Sequence, residues 1–152
     1  MYEGGIRVPM IARCPGTVAP GTRTDHVSAF WDVLPTFAEM TGTEIPTAVD
    51  GISFLPTLLG AEGQRQHEYL YWEFHEAGGK MAVRLGNWKG VRLQVGRDPE
   101  GPIELYDLST DLHEDHNVAD QHPEIVSRMA EIMRTARTPS ELFHFGQPNG
   151  AM

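Results

Sequence analysis

The segment WEFHEAGGK, residues 72–80, brings three side chains that can take part in chemistry into one short loop. His75 offers an imidazole, Glu76 a carboxylate and Lys80 an ammonium group. The aromatic run before the loop and the apolar run after it indicate two strands, and substrate contacts tend to gather in loops at strand ends. We name His75, Glu76 and Lys80 as candidate substrate-binding residues. The competing interpretation is an ordinary polar hairpin loop.

An acidic run that contains histidine, DLSTDLHEDHN at residues 107–117, is a second candidate. A hard divalent cation needs several oxygen ligands that converge on one point. The same carboxylates are also typical acceptors for turn amides and typical helix caps. We expect the second use, and we expect no metal site in this chain.

Composition narrows the classes of partner. The 152 residues carry a formal net charge of −9 at pH 7, and the acidic residues are scattered. Phosphate binding requires a basic face, so nucleic acid is not an expected partner. No stretch approaches the ~20 apolar residues of a membrane span, so no membrane is expected either. Cys14 is the only cysteine in the sequence, so an intramolecular disulfide is excluded. A single cysteine of this kind most often serves as a small buried apolar residue.

Three segments in the first part of the chain predict secondary-structure elements that would help to position the candidate residues. RVPMIAR, residues 7–13, predicts a strand that ends at a CPG turn. FWDVLPTFAEMTG, residues 30–42, predicts an amphipathic helix with Asp32 as its N-cap. The predicted apolar face of this helix consists of Phe30, Leu34, Phe37, Ala38 and Thr41. DGISFLPTLLG, residues 50–60, predicts a turn and a short helix.

Beyond the polar stretch AEGQRQH, residues 61–67, the hydrophobic pattern changes to a period of two. EYLYWEF, KMAVRL, WKGVRLQV and IELYDL predict three or four antiparallel strands, with Gly86-Asn87 as a two-residue hairpin turn. HPEIVSRMAEIMRTAR then predicts a helix with one apolar face, from about Pro123 to Arg137. Such a helix must cover a surface, and the sheet supplies one.

Five segments carry a family resemblance: YEGGIRVPMIARCPG, DVLPTFAEMTG, DGISFLPTLLG, AVRLGNWKG and ELYDLSTDLHEDHNVADQHPE. In this order and at these spacings, they strongly resemble the C-terminal third of the type I sulfatases, members of the alkaline-phosphatase-like superfamily. The resemblance runs from Tyr2 to about Arg137. Any single segment is weak, since DG turns and GNWK hairpins occur widely, but five in order are specific. Leu112 stands where the family pattern usually has proline.

The resemblance implies an α/β fragment in three parts. Residues 1–62 would be the C-terminal remnant of the large catalytic α/β domain, a strand followed by helices. Residues 63–146 would be a small four-stranded antiparallel sheet packed by a C-terminal helix, and residues 147–152 a tail. In intact sulfatases the YEGG segment lies just downstream of an active-site lysine, so the chain resembles the family sequence after its catalytic residues.

The resemblance also implies a chemistry that this chain does not hold by itself. Relatives oxidise the cysteine or serine of a C/S-x-P-S/A-R motif to formylglycine, and they use a divalent cation, which we expect to be calcium. Cys14 lies in RCPGT, which lacks that motif, so we expect no catalytic residue here. The glycines of EGGIRVP either let the backbone approach a bound sulfate or permit a tight turn with positive φ, and we expect the turn. Glu3 and Arg7 are spaced to pair locally.

Three hypotheses for the function follow. The first is a C-terminal piece of a sulfuric ester hydrolase, whose His75, Glu76 and Lys80 would contact the sugar or aryl part of a sulfated small molecule or glycan. The second is a piece of a related phosphodiesterase or phosphonate hydrolase, and the third is a free-standing, non-catalytic binding module. We expect the first, with an exported parent enzyme. We also expect the piece to pair as a homodimer through its uncovered apolar surface.

Overall fold

The computed structural model describes residues 1–45, 49–142 and 144–145, and the predicted tail at residues 147–152 lies outside them. The helices and strands are α1 (Glu3–Ile6), α2 (Val33–Thr41), α3 (Leu55–Leu59), β1 (Leu70–Phe74), β2 (Lys80–Leu85), β3 (Trp88–Leu93), β4 (Ile103–Asp107) and α4 (Pro123–Thr135). They form two compact units, one of Met1–Val8 with Tyr69–Met152 and the other of Pro9–Glu68. The mixed α/β fold with a four-stranded antiparallel sheet is confirmed. None of the helices in the described ranges is long and apolar enough to cross a bilayer.

The first unit is built on the sheet, in the order β1-β2-β3-β4 with every neighbouring pair antiparallel. Leu85 pairs with Trp88 across the predicted Gly86-Asn87 turn. Tyr69, expected on a strand, lies one residue before β1. Because side chains alternate between the two faces of a strand, every strand contributes to two different surfaces.

Helix α4 covers one face of the sheet, which we call the α4 face. Pro123 begins the helix, and Met129, Ile132 and Met133 are buried against a cluster that includes Val83 and Leu105. A Cβ atom on Gly90 of β3 would lie 3.1 Å from Cγ of Met129, so the glycine allows the close approach of helix and sheet. The predicted amphipathic helix and its use are confirmed.

The other face of the sheet we call the N-terminal face. Ala82, Val91 and Tyr106 are buried there, and Met1 packs against them. Register places Arg84 beside Lys89 and Lys80 beside Leu93 on this same face. The N-terminal face thus carries three long cationic side chains, Lys80, Arg84 and Lys89, among its apolar ones.

The second unit contains α2 and α3. Asp32 precedes α2 as predicted, but its buried carboxylate does not cap the helix. It accepts hydrogen bonds from the backbone N–H groups of Ala29 (2.7 Å) and Ile52 (2.8 Å), and its Oδ1 lies 2.8 Å from Nε2 of His67. Gly42 ends α2 in the left-handed conformation, with φ at 67°. One carboxylate thus joins three separate segments of this unit.

One prediction for the first 62 residues is wrong. The segment 7–13 forms no strand, and its Ile11 is 94% exposed. A strand needs a neighbour to complete its hydrogen bonds, and all strand pairs of the described residues lie within β1–β4. The apolar face of α2 is mostly uncovered, as expected: Phe30 is 83% exposed, and Leu34 and Phe37 are exposed too. The buried residues of α2 are Pro35, Thr36 and Ala38.

Candidate functional site

The β1–β2 loop, which carries the candidate residues, is fixed by its own backbone. Ala77, Gly78 and Gly79 all have positive φ, at 51°, 87° and 78°. The carbonyl oxygens of Gly78 and Gly79 accept hydrogen bonds from the N–H groups of Gly96 (2.9 Å) and Val95 (3.1 Å). The loop is therefore tied to the chain that follows β3, and its tip is held in place.

His75 belongs to a polar cluster on the α4 face. Its Nε2 lies 2.8 Å from Oε2 of Glu73, and its ring stacks on Phe145 with 4.3 Å between ring centroids. The other oxygen of Glu73 accepts hydrogen bonds from the Tyr71 hydroxyl (2.6 Å) and from Nε of Arg137 (2.9 Å). Burial, reinforced by the hydrogen bond to Glu73, raises the pKa of Tyr71, so the phenol stays protonated and remains a donor. These contacts anchor the start of the loop.

The other two candidates lie elsewhere. Lys80 begins β2 on the N-terminal face, with Nζ 5.6 Å from the centre of the Phe74 ring. Glu76 is exposed in the loop. The structure thus places His75, Glu76 and Lys80 within one hairpin but does not bring their functional groups together. Their role in substrate binding stays a prediction.

A buried ion cluster on the N-terminal face was missed by the sequence analysis. Nζ of Lys89, which is 0% exposed, lies 2.8 Å from Oε1 of Glu3 and 3.9 Å from Oε1 of Glu114. Arg84 approaches the second oxygen of Glu3 at 3.7 Å, and the N–H of Glu3 donates to Oε2 of Glu114 at 2.6 Å. Nζ of Lys89 also lies 5.5 Å from the centre of the Trp72 ring.

The cluster corrects two predictions about EGGIRVP. Glu3 pairs with Lys89 and Arg84 and not with Arg7. Gly4 and Gly5 lie inside α1 and do not have positive φ. One signal in the sequence pointed to the cluster: the period-two pattern of WKGVRL places Lys89 on the same face as apolar Val91, and a lysine so buried requires a carboxylate partner. The sequence does not reveal which carboxylate, because Glu3 is 86 positions away.

Glu114 is held in an unusual setting. Its φ is 59°, and burial raises the pKa of its carboxyl, against the opposing effects of the Glu3 N–H and of Lys89. Residues with short polar side chains or glycine are the usual occupants of this backbone conformation. The loop after β4 is therefore closed onto α1 by a buried carboxylate.

Two tyrosines stand beside the ion cluster. The hydroxyls of Tyr2 and Tyr106 both donate to Oε2 of Glu104, at 2.5 Å and 3.1 Å. The two rings meet edge to face, with 6.2 Å between centroids. Burial and the hydrogen bond to Glu104 raise the pKa of Tyr106 to about 12 and also raise the pKa of Tyr2. Both groups are neutral phenols at physiological pH, and the shared carboxylate fixes their orientation.

The acidic run acts as predicted in its turns. Asp107 Oδ1 accepts hydrogen bonds from the N–H and the hydroxyl of Ser109, and Asp111 accepts from the N–H groups of Asp115 and His116. These hydrogen bonds lower the pKa of both aspartates. Within residues 1–45, 49–142 and 144–145, no group of three or more His, Cys, Asp or Glu side chains is arranged to hold a metal ion.

The first unit is thus a small antiparallel sheet covered by one helix, with a buried ion cluster that ties α1 to the sheet. Comparison with known proteins identifies its class. The family model described as N-sulphoglucosamine sulphohydrolase, C-terminal, matches residues 1–138. The chain belongs to the sulfatase family and corresponds to its C-terminal region.

Relatives and solved structures agree with this assignment. The chain is 34% identical to human arylsulfatase A over 86% of its own length and 30% of the relative's. It is 30% identical to the N-acetylgalactosamine-6-O-sulfatase of Bacteroides thetaiotaomicron, over 90% of the chain and 28% of the relative. The chain thus spans less than a third of the length of these relatives.

Among solved structures, Ps i-CgsB in complex with k-i-k-neocarrahexaose is similar with a TM-score of 0.67 and 25% identity, over 80% of this chain and 27% of that one. The phosphonate monoester hydrolase from Silicibacter pomeroyi is similar with a TM-score of 0.63 at 21% identity, over 90% of this chain and 32% of that one. The second likeness shows the fold alone.

Proposed function

We propose that this chain is the C-terminal part of a sulfuric ester hydrolase, where it supports the fold and lines the substrate cleft, and that it is catalytically incomplete by itself. The observation that carries the proposal is the match of residues 1–138 to the C-terminal family model, together with relatives more than three times as long. The ion cluster of Lys89, Glu3 and Glu114 supports the structural half of this role, because it fixes the segment at the start of the chain against the sheet.

The cofactors of the parent are part of the same proposal. We infer that the parent uses a formylglycine nucleophile and a divalent cation, expected to be calcium, which would neutralise charge on the sulfate. The described residues of this chain do not fit such an ion. Cys14 lies in a turn, where its carbonyl oxygen accepts from Thr17 and Val18 N–H groups. We assign no chemical step to the residues of this chain.

The role that we propose for this chain is to orient the substrate. Holding a substrate in the correct geometry relative to the catalytic groups can contribute greatly to the reaction rate. Glu76 and Lys80 offer an acceptor and a cation on either side of a fixed loop, and His75 anchors that loop through Glu73. A carboxylate suits sugar hydroxyl groups, and an ammonium group suits sulfate. We therefore propose a sulfated glycan as the substrate class. The names of similar proteins, one a sulfatase of N-acetylgalactosamine and one a complex with a neocarrahexaose, support a sugar.

The incompleteness is tested with the purified chain and 4-methylumbelliferyl sulfate. We expect no hydrolysis above background, and no change on Cys14→Ala. Turnover that copurifies with the chain and disappears in Cys14→Ala would contradict the proposal and our interpretation of Cys14.

The substrate contact is tested by NMR titration of the whole chain with N-acetylglucosamine 6-sulfate. We expect the amide signals of Glu76 and Lys80 to shift, and Lys80→Gln to weaken the effect. Arg134→Gln, which removes an exposed positive charge from α4, is the matched control and should not weaken it. Equal binding by Lys80→Gln and the unsubstituted chain would remove Lys80 from the site.

A further inference from the structure

A surface pocket of about 540 Å³ opens beside the ion cluster, entirely within the first unit. It is lined by Tyr2, Glu3, Gly4, Arg7, Tyr106, Leu112, His113 and Glu114. Its volume is in the range of pockets that hold one small ligand or one sugar unit. Nothing in the contacts of the β1–β2 loop uses this pocket.

The floor of the pocket is electrostatically balanced. Glu3 and Glu114 have side chains that are 4% and 2% exposed, and they face the buried ammonium group of Lys89. Arg84 adds a second positive charge beside Glu3. Since these charges are buried and matched, they neither attract nor repel a ligand strongly.

Arg7 is the charged residue that the pocket presents to solvent. Its side chain is exposed, and within the described parts of the chain its guanidinium group makes no hydrogen bond or ion pair. The local pairing with Glu3 that sequence spacing predicts does not form, because Glu3 is bound to Lys89. A guanidinium group presents a planar fork of donors that matches the oxygens of sulfate or carboxylate.

The wall of the pocket is aromatic. Tyr2 is partly exposed, and Tyr106 stands against it edge to face. Both hydroxyls are bound to Glu104, so the rings are held in one orientation and present apolar surface to the pocket. A preformed aromatic wall beside a few polar groups is the usual composition of a small-ligand site.

We propose that this pocket binds a sulfated sugar unit, with its sulfate group paired to the Arg7 guanidinium and the apolar face of its ring against Tyr2. The proposal rests on the proposed function, since it takes the ligand to be a sulfated glycan. It assigns contacts to residues that lie outside the β1–β2 loop.

The test is an NMR titration of the whole chain with N-acetylglucosamine 6-sulfate, unsulfated N-acetylglucosamine and sodium sulfate. We expect saturable shifts of the Gly4, Arg7 and His113 amides with the sulfated sugar, and binding at least about tenfold weaker for the other two probes. Arg7→Gln should weaken binding at least about tenfold. Arg97→Gln, which removes another exposed arginine, should leave it unchanged.

The outcomes separate this proposal from the proposed function. Shifts at Gly4 and His113 without shifts at Glu76 support the pocket and contradict the role of the β1–β2 loop, and the reverse pattern overturns the pocket. Equal binding of sodium sulfate and the sulfated sugar overturns the sugar assignment. Undiminished binding by a folded Arg7→Gln variant overturns the role of Arg7. If that variant does not fold, Arg7→Lys, which keeps the charge but loses the fork, must still bind more weakly than the unsubstituted chain.

Discussion

Replacing Lys89 by methionine tests whether the buried ion cluster holds α1 on the sheet. Methionine preserves most of the volume and removes the charge, so the change leaves the Glu3 carboxylate, 4% exposed, without its 2.8 Å partner. Among the described residues, Arg84 then remains as a cation near it, at 3.7 Å. Removing one member of a buried ion pair costs about 3–5 kcal/mol, because the other charge is left uncompensated. We expect the lower part of that range, since Arg84 offers partial compensation.

Amide hydrogen exchange of β3 reports on the stability of the first unit separately from the second. A loss of about 3 kcal/mol predicts roughly hundredfold faster exchange for the most protected β3 amides. Lys80→Met is the matched control. Lys80 is half-buried and its Nζ lies 5.6 Å from the centre of the Phe74 ring, so the loss of its charge should cost about 0.5–1 kcal/mol.

The double variant Lys89→Met/Glu3→Leu separates charge from packing. If the cost comes from the stranded carboxylate, replacing both partners by apolar residues should recover most of the stability. The reasoning is refuted if Lys89→Met costs no more than Lys80→Met, or if the costs of the two single changes simply add in the double variant.

Three further changes test other features of the fold. Because the pKa of the Glu114 carboxyl is raised, the folded chain binds the carboxyl proton more tightly than the unfolded chain does. The stability that the bound proton contributes is therefore present below the ordinary pKa of 4.5 and is lost as pH rises, and Glu114→Gln removes this contribution. Urea unfolding on either side of pH 4.5 should therefore show that the free energy of unfolding of the unsubstituted chain falls relative to that of the variant as pH rises. A difference in free energy that does not change with pH would contradict the assignment. Gly51→Ala would place a Cβ 2.1 Å from the Trp31 carbonyl oxygen, so we expect thermal unfolding to show a loss of stability of about 1–3 kcal/mol. Gly5→Ala is the control and should be tolerated, because a Cβ there would have no atom within 4 Å. Equal losses of stability in the two variants would contradict this expectation. Exposed Phe37 on α2 leads us to expect a dimer by sedimentation at tens of micromolar that Phe37→Glu weakens, and a monomer under those conditions would show that this surface does not pair copies of the chain.

The four strands and α4 of the first unit were predictable because their signals are local, whereas the short helix α1 was not predicted. Alternating apolar residues gave the strands, Gly86-Asn87 gave the hairpin turn, and Pro123 with the apolar stripe behind it gave α4. The same reasoning failed for residues 7–13, where the predicted strand does not form. The apolar residues of this segment fit a strand, but whether a strand forms depends on a neighbouring strand that the local pattern does not describe.

The candidate site shows the same division between local and long-range information. The sequence alone determined the family, the hairpin that carries His75, Glu76 and Lys80, and the use of Asp107 and Asp111 in turns, because each depends on residues close together in the chain. Tertiary structure alone decided that His75 and Lys80 lie on opposite faces of the sheet. It also decided that Glu3 bonds to Lys89 across 86 positions and thereby leaves Arg7 exposed beside a pocket. The physical reason is that the partner of a buried charge is set by which segments the sheet brings into contact, and charge spacing along the chain does not encode that choice.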